Sequence, residues 1–564
     1  MIRSETLSPP FAMARVDRVV VLWAGLLGCA AMLRLHDLGA RPLDPDEARI
    51  GLDALRNVGV GRGWGSPEST APGYAGLLST LFFLFGSSDA SARLVSAIAG
   101  VTLVGLCWLT QPLLGRGALG VAALLASSPI LIESSRSAFS ASLMTALLFL
   151  VLISVTRVVA SFESGERAHM GWLMLVGTGL AAGLATDPLF ALQVLALAAA
   201  VIFAFDLSVL RERLRQARSL PRAPIIFGFS VTVVIYTTRL LTNPGGFQTG
   251  VVDALWVWTT EILQPARIPI VPLIMLFGSE CLVLASAVGA TTRLGKASPV
   301  ERFAAAWAAI SLALAIVGGR ADYRWLAPAI LSAALLGGPW LARTIESPRW
   351  REPLTYIVGG IAAVPLLAAL VASLPALRNS SLPPMPVPLA ALTGWGGAIV
   401  GAYAVVGRRT TIHGLVFLIL AVTLLGTVTA LARLSASTWS DLGRVGPGMV
   451  YTSELREVER QIAIWEWDQD RRPILVDDRL QAPLGWVLRS NRNFRWTAAD
   501  DIRTSPAIKL GSSRGDPLPE RALRVTIGYR FTLLTDLSPL RVVEWLLWRR
   551  SIPRVETYDI LLFR

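Results

Sequence analysis

The sequence predicts an α-helical polytopic membrane protein followed by a small α/β domain, and three features predict it. Of 564 residues, 53% are hydrophobic and only 16% are charged, where soluble domains carry about 25% charged residues. Apolar runs of about 16–24 residues recur through positions 1–434, long enough to cross a bilayer as helices. From residue 435 the runs give way to short alternating segments of the kind that build strands. The net charge of +13 is carried mainly by short loops and the tail. That pattern suits loop sorting across a membrane and excludes nucleic acid as the expected partner.

Residues 1–18 are polar, with Arg3, Arg15 and Arg18. The apolar run 19–33 has no small-residue cleavage site after it, so it is expected as an uncleaved first span. A first outside loop, 36–72, follows. Residues 73–85 are apolar but short for a span, which fits an interfacial or re-entrant helix. Further spans are expected at 94–114, 117–132, 137–156, 171–186, 188–205, 223–241, 268–292, 303–317, 325–342, 354–374, 387–406 and 412–431. That makes roughly thirteen by hydropathy. With the N-terminus cytoplasmic, the inside loops include 211–222, 293–302, 343–351 and Arg408-Arg409, all rich in Arg or Lys. An odd number of spans then puts the tail, 435–564, outside the cell with the 36–72 loop. The tail reads as a helix at 451–469, strands at 473–477, 524–531 and 557–563, and a helix at 537–549. About 125 residues are enough for a core of their own.

Cys29, Cys107 and Cys281 lie in apolar segments and predict no disulfide framework. His36, His169 and His413 are far apart and form no metal motif. The chemistry concentrates instead in Leu43-Asp44-Pro45-Asp46-Glu47-Ala48-Arg49. Asp44 can cap a helix, Pro45 suits its first position, and Glu47 stands where a capping box needs an acid. Asp46 is not needed for the cap. At about 100° per residue, Asp46, Arg49, Asp53 and Arg56 share one stripe and Ala48, Leu52 and Leu55 lie opposite. Such a helix can lie on a membrane surface, and its polar stripe can equally be a solvated row of ion pairs. Glu280 interrupts an apolar run, and an ionisable residue at that depth is expected to bond another helix or to face a cavity.

An Asp-Glu pair opening an amphipathic helix in the first outside loop resembles the GT-C superfamily of membrane glycosyltransferases. The likeness is to the protein O-mannosyltransferase and aminoarabinose-transferase group. Leu84-Phe85-Gly86-Ser87 with Ala92-Arg93-Leu94, Ser128-Pro129 with Ser135-Arg136-Ser137, residues 179–186, and Tyr323-Arg324-Trp325-Leu326-Ala327-Pro328 resemble that group's motifs in order. Pro483-Leu484-Gly485-Trp486-Val487-Leu488-Arg489 is similar to an element in the tails of some bacterial and archaeal members.

The resemblance implies inverting transfer of a sugar from a polyprenyl-phosphate donor to an acceptor (lipid, glycan or protein) at the extracytoplasmic face. Asp46 would be the general base, with Glu47 beside it. Arg136, Arg320 and Arg324 would contact substrate by meeting phosphate charge, and Arg93 and Asp187 would be further substrate contacts. Interfacial snorkelling to lipid headgroups is the plain alternative for Arg136, Arg320 and Arg324. The sequence departs from the pattern at three places. Ala71-Pro72-Gly73 lacks the group's basic residue. Ser140 or Ala141 stands where an acid is usual, and Asp187 where a basic residue is usual. No cofactor is expected; Asp46 with Asp187 or Glu47 is the one thin metal-ligand set. A non-catalytic transporter or assembly subunit on the same scaffold is the second reading.

Overall fold

The computed structural model describes residues 18–39, 42–57, 72–163, 170–217, 220–237, 270–292, 298–318, 323–347, 352–378, 386–435, 455–467, 474–477, 480–490, 494–497, 507–510, 522–532 and 554–563. The helices are α1 (Arg18–Leu35), α2 (Pro45–Asn57), α3 (Pro72–Phe85), α4 (Asp89–Leu106), α5 (Gln111–Leu114), α6 (Gly117–Ser127), α7 (Pro129–Ser135), α8 (Ala141–Glu163), α9 (Met170–Thr186) and α10 (Phe190–Ala204). They continue with α11 (Leu207–Ala217), α12 (Ala223–Thr237), α13 (Ile270–Ser279), α14 (Cys281–Thr291), α15 (Pro299–Gly318), α16 (Tyr323–Glu346), α17 (Pro353–Arg378) and α18 (Pro386–Ser435). In the tail stand α19 (Leu455–Trp467) and α20 (Gln481–Val487).

Four stretches among the described residues are long and apolar enough to cross a membrane: Asp89–Leu114, Ala141–Ser161, Pro299–Val317 and Tyr323–Glu346. The bent pair α6–α7 makes a fifth candidate, and eight shorter apolar helices pack around them. In lipid a backbone must satisfy its own polar groups, so apolar runs become helices. Small residues let those helices approach closely. A Cβ on Gly120 of α6 would stand 2.3 Å from the Gly338 carbonyl oxygen of α16, so glycine is required at that crossing.

Two runs expected as single spans are broken. Residues 117–132 divide into α6 and α7, bent by 63°. Ser128 caps α7 and Pro129 opens it: Ser128 Oγ accepts from Leu131 N at 3.2 Å. Residues 268–292 divide at Glu280 into α13 and α14. The two breaks meet, because Glu280 Oε1 accepts from Ser128 Oγ and Ile130 N, both at 2.8 Å. On the other side of the α6 break, buried Arg34 donates to Leu125 O at 2.9 Å and Ala126 O at 3.4 Å. Acid thus meets the start of α7 and base the end of α6, each at the helix pole that favours it. Replacing Glu280 by Leu strands two buried donors and is expected to cost about 1–3 kcal/mol. Glu280→Gln keeps an acceptor and is expected to cost less than half of that. Thermal unfolding in detergent compares the two. The spans expected at 387–406 and 412–431 are α18, which kinks at Gly407 (φ 80°).

Arg116 pairs with Glu346 at 3.3 Å, and Arg343 pairs with Glu301. These ion pairs gather the loops before α6 and α15 and after α16 at one end of the bundle. Gly117 packs on Pro339, so α6 and α16 run antiparallel. The start of α16 and the end of α6–α7 therefore stand at the opposite end, with α2.

The tail carries a five-stranded sheet, β1 (Ile474–Asp477), β2 (Phe494–Thr497), β3 (Ala507–Leu510), β4 (Ala522–Thr532) and β5 (Arg554–Phe563), ordered β2-β1-β3-β5-β4. β1 is parallel to β2 and β3, while β5 is antiparallel to β3 and β4. Val458 and Ile462 of α19 and Leu480, Leu484 and Leu488 around α20 share its core with Val476 and Ile508. The helix expected at 537–549 lies outside the described residues.

Candidate active site at the α2 end of the bundle

The capping box forms as read. Glu47 N donates to Asp44 Oδ1 at 2.8 Å, and Asp44 N donates to Glu47 Oε2 at 3.0 Å. Glu47 is fully buried, however, and more than a cap. Arg93 of α4 donates Nε to its Oε1 at 3.0 Å and Nη2 to its Oε2 at 2.6 Å. Ala138 N adds a fourth bond to Oε1 at 2.9 Å. A carboxylate offers about four lone-pair positions, and Glu47 has all four engaged. These four bonds tie the start of α2 to α4 and to the turn between α7 and α8. Arg93 is engaged in the same way. Buried beside Glu47, it also donates to the carbonyls of Leu38 at 2.9 Å and Pro42 at 3.0 Å, tying down the chain that enters α2.

Asp46, the next residue round the helix, has a different environment. Its side chain is 51% exposed, with Arg49 at 3.5 Å and itself 57% exposed. An exposed pair of this kind is worth about 0–1 kcal/mol, so it does not withdraw the carboxylate from solvent. The expected apolar face is present, with Ala48, Leu52 and Leu55 buried. It packs on Tyr74, Leu78 and Phe82 of α3 and Ala92 and Val95 of α4, so protein rather than lipid covers it. The polar stripe is shorter than expected because Asp53 is buried. Neighbouring α3 packs there, and Ser79 Oγ donates to Ala54 O at 2.8 Å.

The turn between α7 and α8 ties these helices together. Beside Ala138, Phe139 O accepts from Ser96 Oγ at 2.7 Å. Ser96 Oγ in turn lies 2.8 Å from Tyr74 Oη. Ser140 Oγ donates to Asp187 Oδ2, while Leu189 N donates to Asp187 Oδ1 at 2.8 Å. Asp187 is buried and both its oxygens accept from protein donors. With Glu47 and Asp187 so engaged, the metal-ligand set drawn around Asp46 has only Asp46 itself at the surface. No group of three His, Cys, Asp or Glu side chains placed to hold a metal ion occurs among the described residues.

Arg136 is partly buried in this turn and donates to the carbonyls of Leu33 at 3.0 Å and His36 at 2.6 Å. It sits at the C-terminal end of α1, where a cation is favoured. Burial, then the nearby Arg93 charge, holds its pKa below the ordinary arginine value, with Asp37 opposing. Arg324 is partly exposed in the first turn of α16, at the same end of the bundle. Arg320 lies outside the described residues. The pairing of Glu47 with Arg93, 46 positions apart, had no local signal. Ser128-Pro129 did carry one, as a cap followed by a first-turn proline.

No protein-family model matches the chain, and no curated protein matches it. Solved structures do. ArnT from Cupriavidus metallidurans bound to undecaprenyl phosphate superposes with a TM-score of 0.54 and 18% identity, over 86% of this chain and 86% of that one. The same protein in the apo state gives 0.53 and 17%, over 85% and 86%. The Archaeoglobus fulgidus oligosaccharyltransferase in the apo form gives 0.47 and 11%, over 85% of this chain and 64% of that one. The chain has the fold of ArnT.

Proposed function

We propose that this GT-C-fold chain is an inverting glycosyltransferase. It moves a sugar from a polyprenyl-phosphate-linked donor to an acceptor at the extracytoplasmic face of the cell membrane. One observation carries the reading: Asp46 is a solvent-open carboxylate on a helix whose every other acid is buried, at the end of the bundle that also holds Arg136 and Arg324. An acceptor hydroxyl is a poor nucleophile at neutral pH. Asp46 takes its proton, the oxygen attacks the anomeric carbon from the face opposite the phosphate, and the bond from that carbon to the phosphate oxygen breaks. The leaving group is the polyprenyl phosphate, whose growing charge an arginine stabilises. Asp46 ends the step protonated, and no metal is assigned a part. Undecaprenyl phosphate, the lipid bound to ArnT of C. metallidurans, supplies the leaving-group class.

The reading includes the topology expected from the loops: N-terminus cytoplasmic, a transmembrane unit 1–434, and an extracytoplasmic unit 435–564. A non-catalytic transporter or assembly subunit draws on two observations, the Asp46–Arg49 contact and the meeting of two helix breaks at Glu280. Glu280 there accepts bonds at a helix start, which is structural work, and the Arg49 contact is weak.

Release of undecaprenyl phosphate from undecaprenyl-phosphate sugars, by protein reconstituted in nanodiscs, tests the reading. No turnover with any of a panel of pentosyl and hexosyl donors would count against it. Arg324→Ala is expected to weaken binding of undecaprenyl phosphate itself about 10–100-fold, the worth of one charge-assisted hydrogen bond. Thermal-shift titration reads that change.

A further inference from the structure

Trp486 belongs to the tail by sequence and to the bundle by packing. In α20, Leu484 faces the tail's own core, as do Leu480 before the helix and Leu488 after it. Trp486, two residues from Leu484 and Leu488, points the other way. It is 3% exposed and joins the cluster of Leu43, Ala48, Leu52, Leu55, Leu78 and Phe82 around α2 and α3. Its ring lies 5.7 Å from that of Phe82, centroid to centroid. A Cβ on Gly51 of α2 would meet the Trp486 ring at 2.6 Å, and one on Gly485 would meet Leu52 at 2.9 Å. Nε1 of Trp486 donates to Asp89 Oδ1, in the first turn of α4, at 2.6 Å. Arg489 stacks on the indole at 4.3 Å and donates to Ser87 O, between α3 and α4, at 3.3 Å.

We infer that the tail braces the helix carrying Asp46: Trp486, keyed against Gly51 and locked by Asp89 and Arg489, is a positioning residue for that carboxylate. The buried pair Glu47–Arg93 fixes the start of α2, and Trp486 fixes its middle turn. Between them, Asp46 is held on a helix anchored at two points. Without Trp486 the second turn faces a void the size of an indole. What the brace serves rests on the transferase reading; that it restrains α2 does not.

Full-length protein in nanodiscs tests both parts. In Trp486→Ala, and separately in Gly51→Val, which pushes the ring out from the other side, hydrogen exchange of the α2 amides is expected to quicken at least about tenfold. The tail strands β1 and β4 should stay protected, because Trp486 is not part of their core. Unchanged α2 exchange in both variants overturns the brace. If Trp486→Ala also loosens the tail sheet, Gly51→Val, which replaces no residue of the tail, decides. In the transfer assay kcat should fall about tenfold or more while KM for the polyprenyl-phosphate sugar holds. Trp486→Phe, which keeps one aromatic ring while losing the bond to Asp89 and part of the indole's volume, should recover part of it. A Trp486→Ala enzyme with unaltered kcat overturns the positioning role. Absence of transfer by the unmodified protein rejects the transferase reading, and the exchange result still judges the brace.

Discussion

Asp46→Asn is expected to lower sugar transfer by roughly 10²–10⁴-fold, the usual worth of a general base. Asparagine fills the same space and accepts hydrogen bonds, but it cannot take a proton from the acceptor. The fold should not notice the change. The Asp46 side chain is half exposed and its ion-pair partner is Arg49 at 3.5 Å, so stability is expected to move by no more than about 0.5 kcal/mol. The cap of α2 uses Asp44 and Glu47 instead. Single-turnover release of undecaprenyl phosphate, read beside a thermal melt, separates lost chemistry from lost structure. Arg49→Ala is the matched control: it removes the partner and leaves the carboxylate, so transfer should persist within a few fold. Wild-type turnover in Asp46→Asn would remove Asp46 as the base.

The start of α2 was legible because capping is local chemistry: Asp44, Pro45 and Glu47 announce it in four residues, and Ala48, Leu52 and Leu55 announce its buried face. A helical period identifies an apolar face without saying what covers it. Here the cover comes from α3, α4 and Trp486, the last more than 400 positions away. The same limit hid the difference between Asp46 and Glu47. Side by side in the sequence, they are told apart locally only by the cap; the burial of Glu47 comes from Arg93 and Ala138, which no local pattern brings to it. Hydropathy located the apolar runs, but averaging over a window blurs a break, which is why α6–α7 and α13–α14 were expected as single spans. In the tail, the alternating runs at β4 and β5 are long enough to recognise. At four residues each, β2 and β3 are too short to carry a period.

The second large effect is expected at Arg93. In Arg93→Met the fully buried Glu47 carboxylate loses both guanidinium bonds, and the carbonyls of Leu38 and Pro42 lose their donors. Removing one partner of a buried pair costs about 3–5 kcal/mol, since an uncompensated charge remains. Arg93→Lys should recover little, because one ammonium cannot reproduce a two-pronged contact with Glu47 and reach two carbonyls as well. Glu47→Gln alone leaves Arg93 buried with two carbonyls and half its acid. Combining it with Arg93→Met removes both charges together, so the double variant should lose less than the two single losses added. Unfolding of all three variants in detergent gives the cycle. Transfer should fall with Arg93→Met even below the melting temperature, because the chain entering α2 is no longer held and Asp46 moves with it. A cost below about 1 kcal/mol for Arg93→Met, with transfer intact, would mean that α2 stays in place without this pair. Trp486 and the packing on α3 would then be what holds α2, and Asp46 with it, in place.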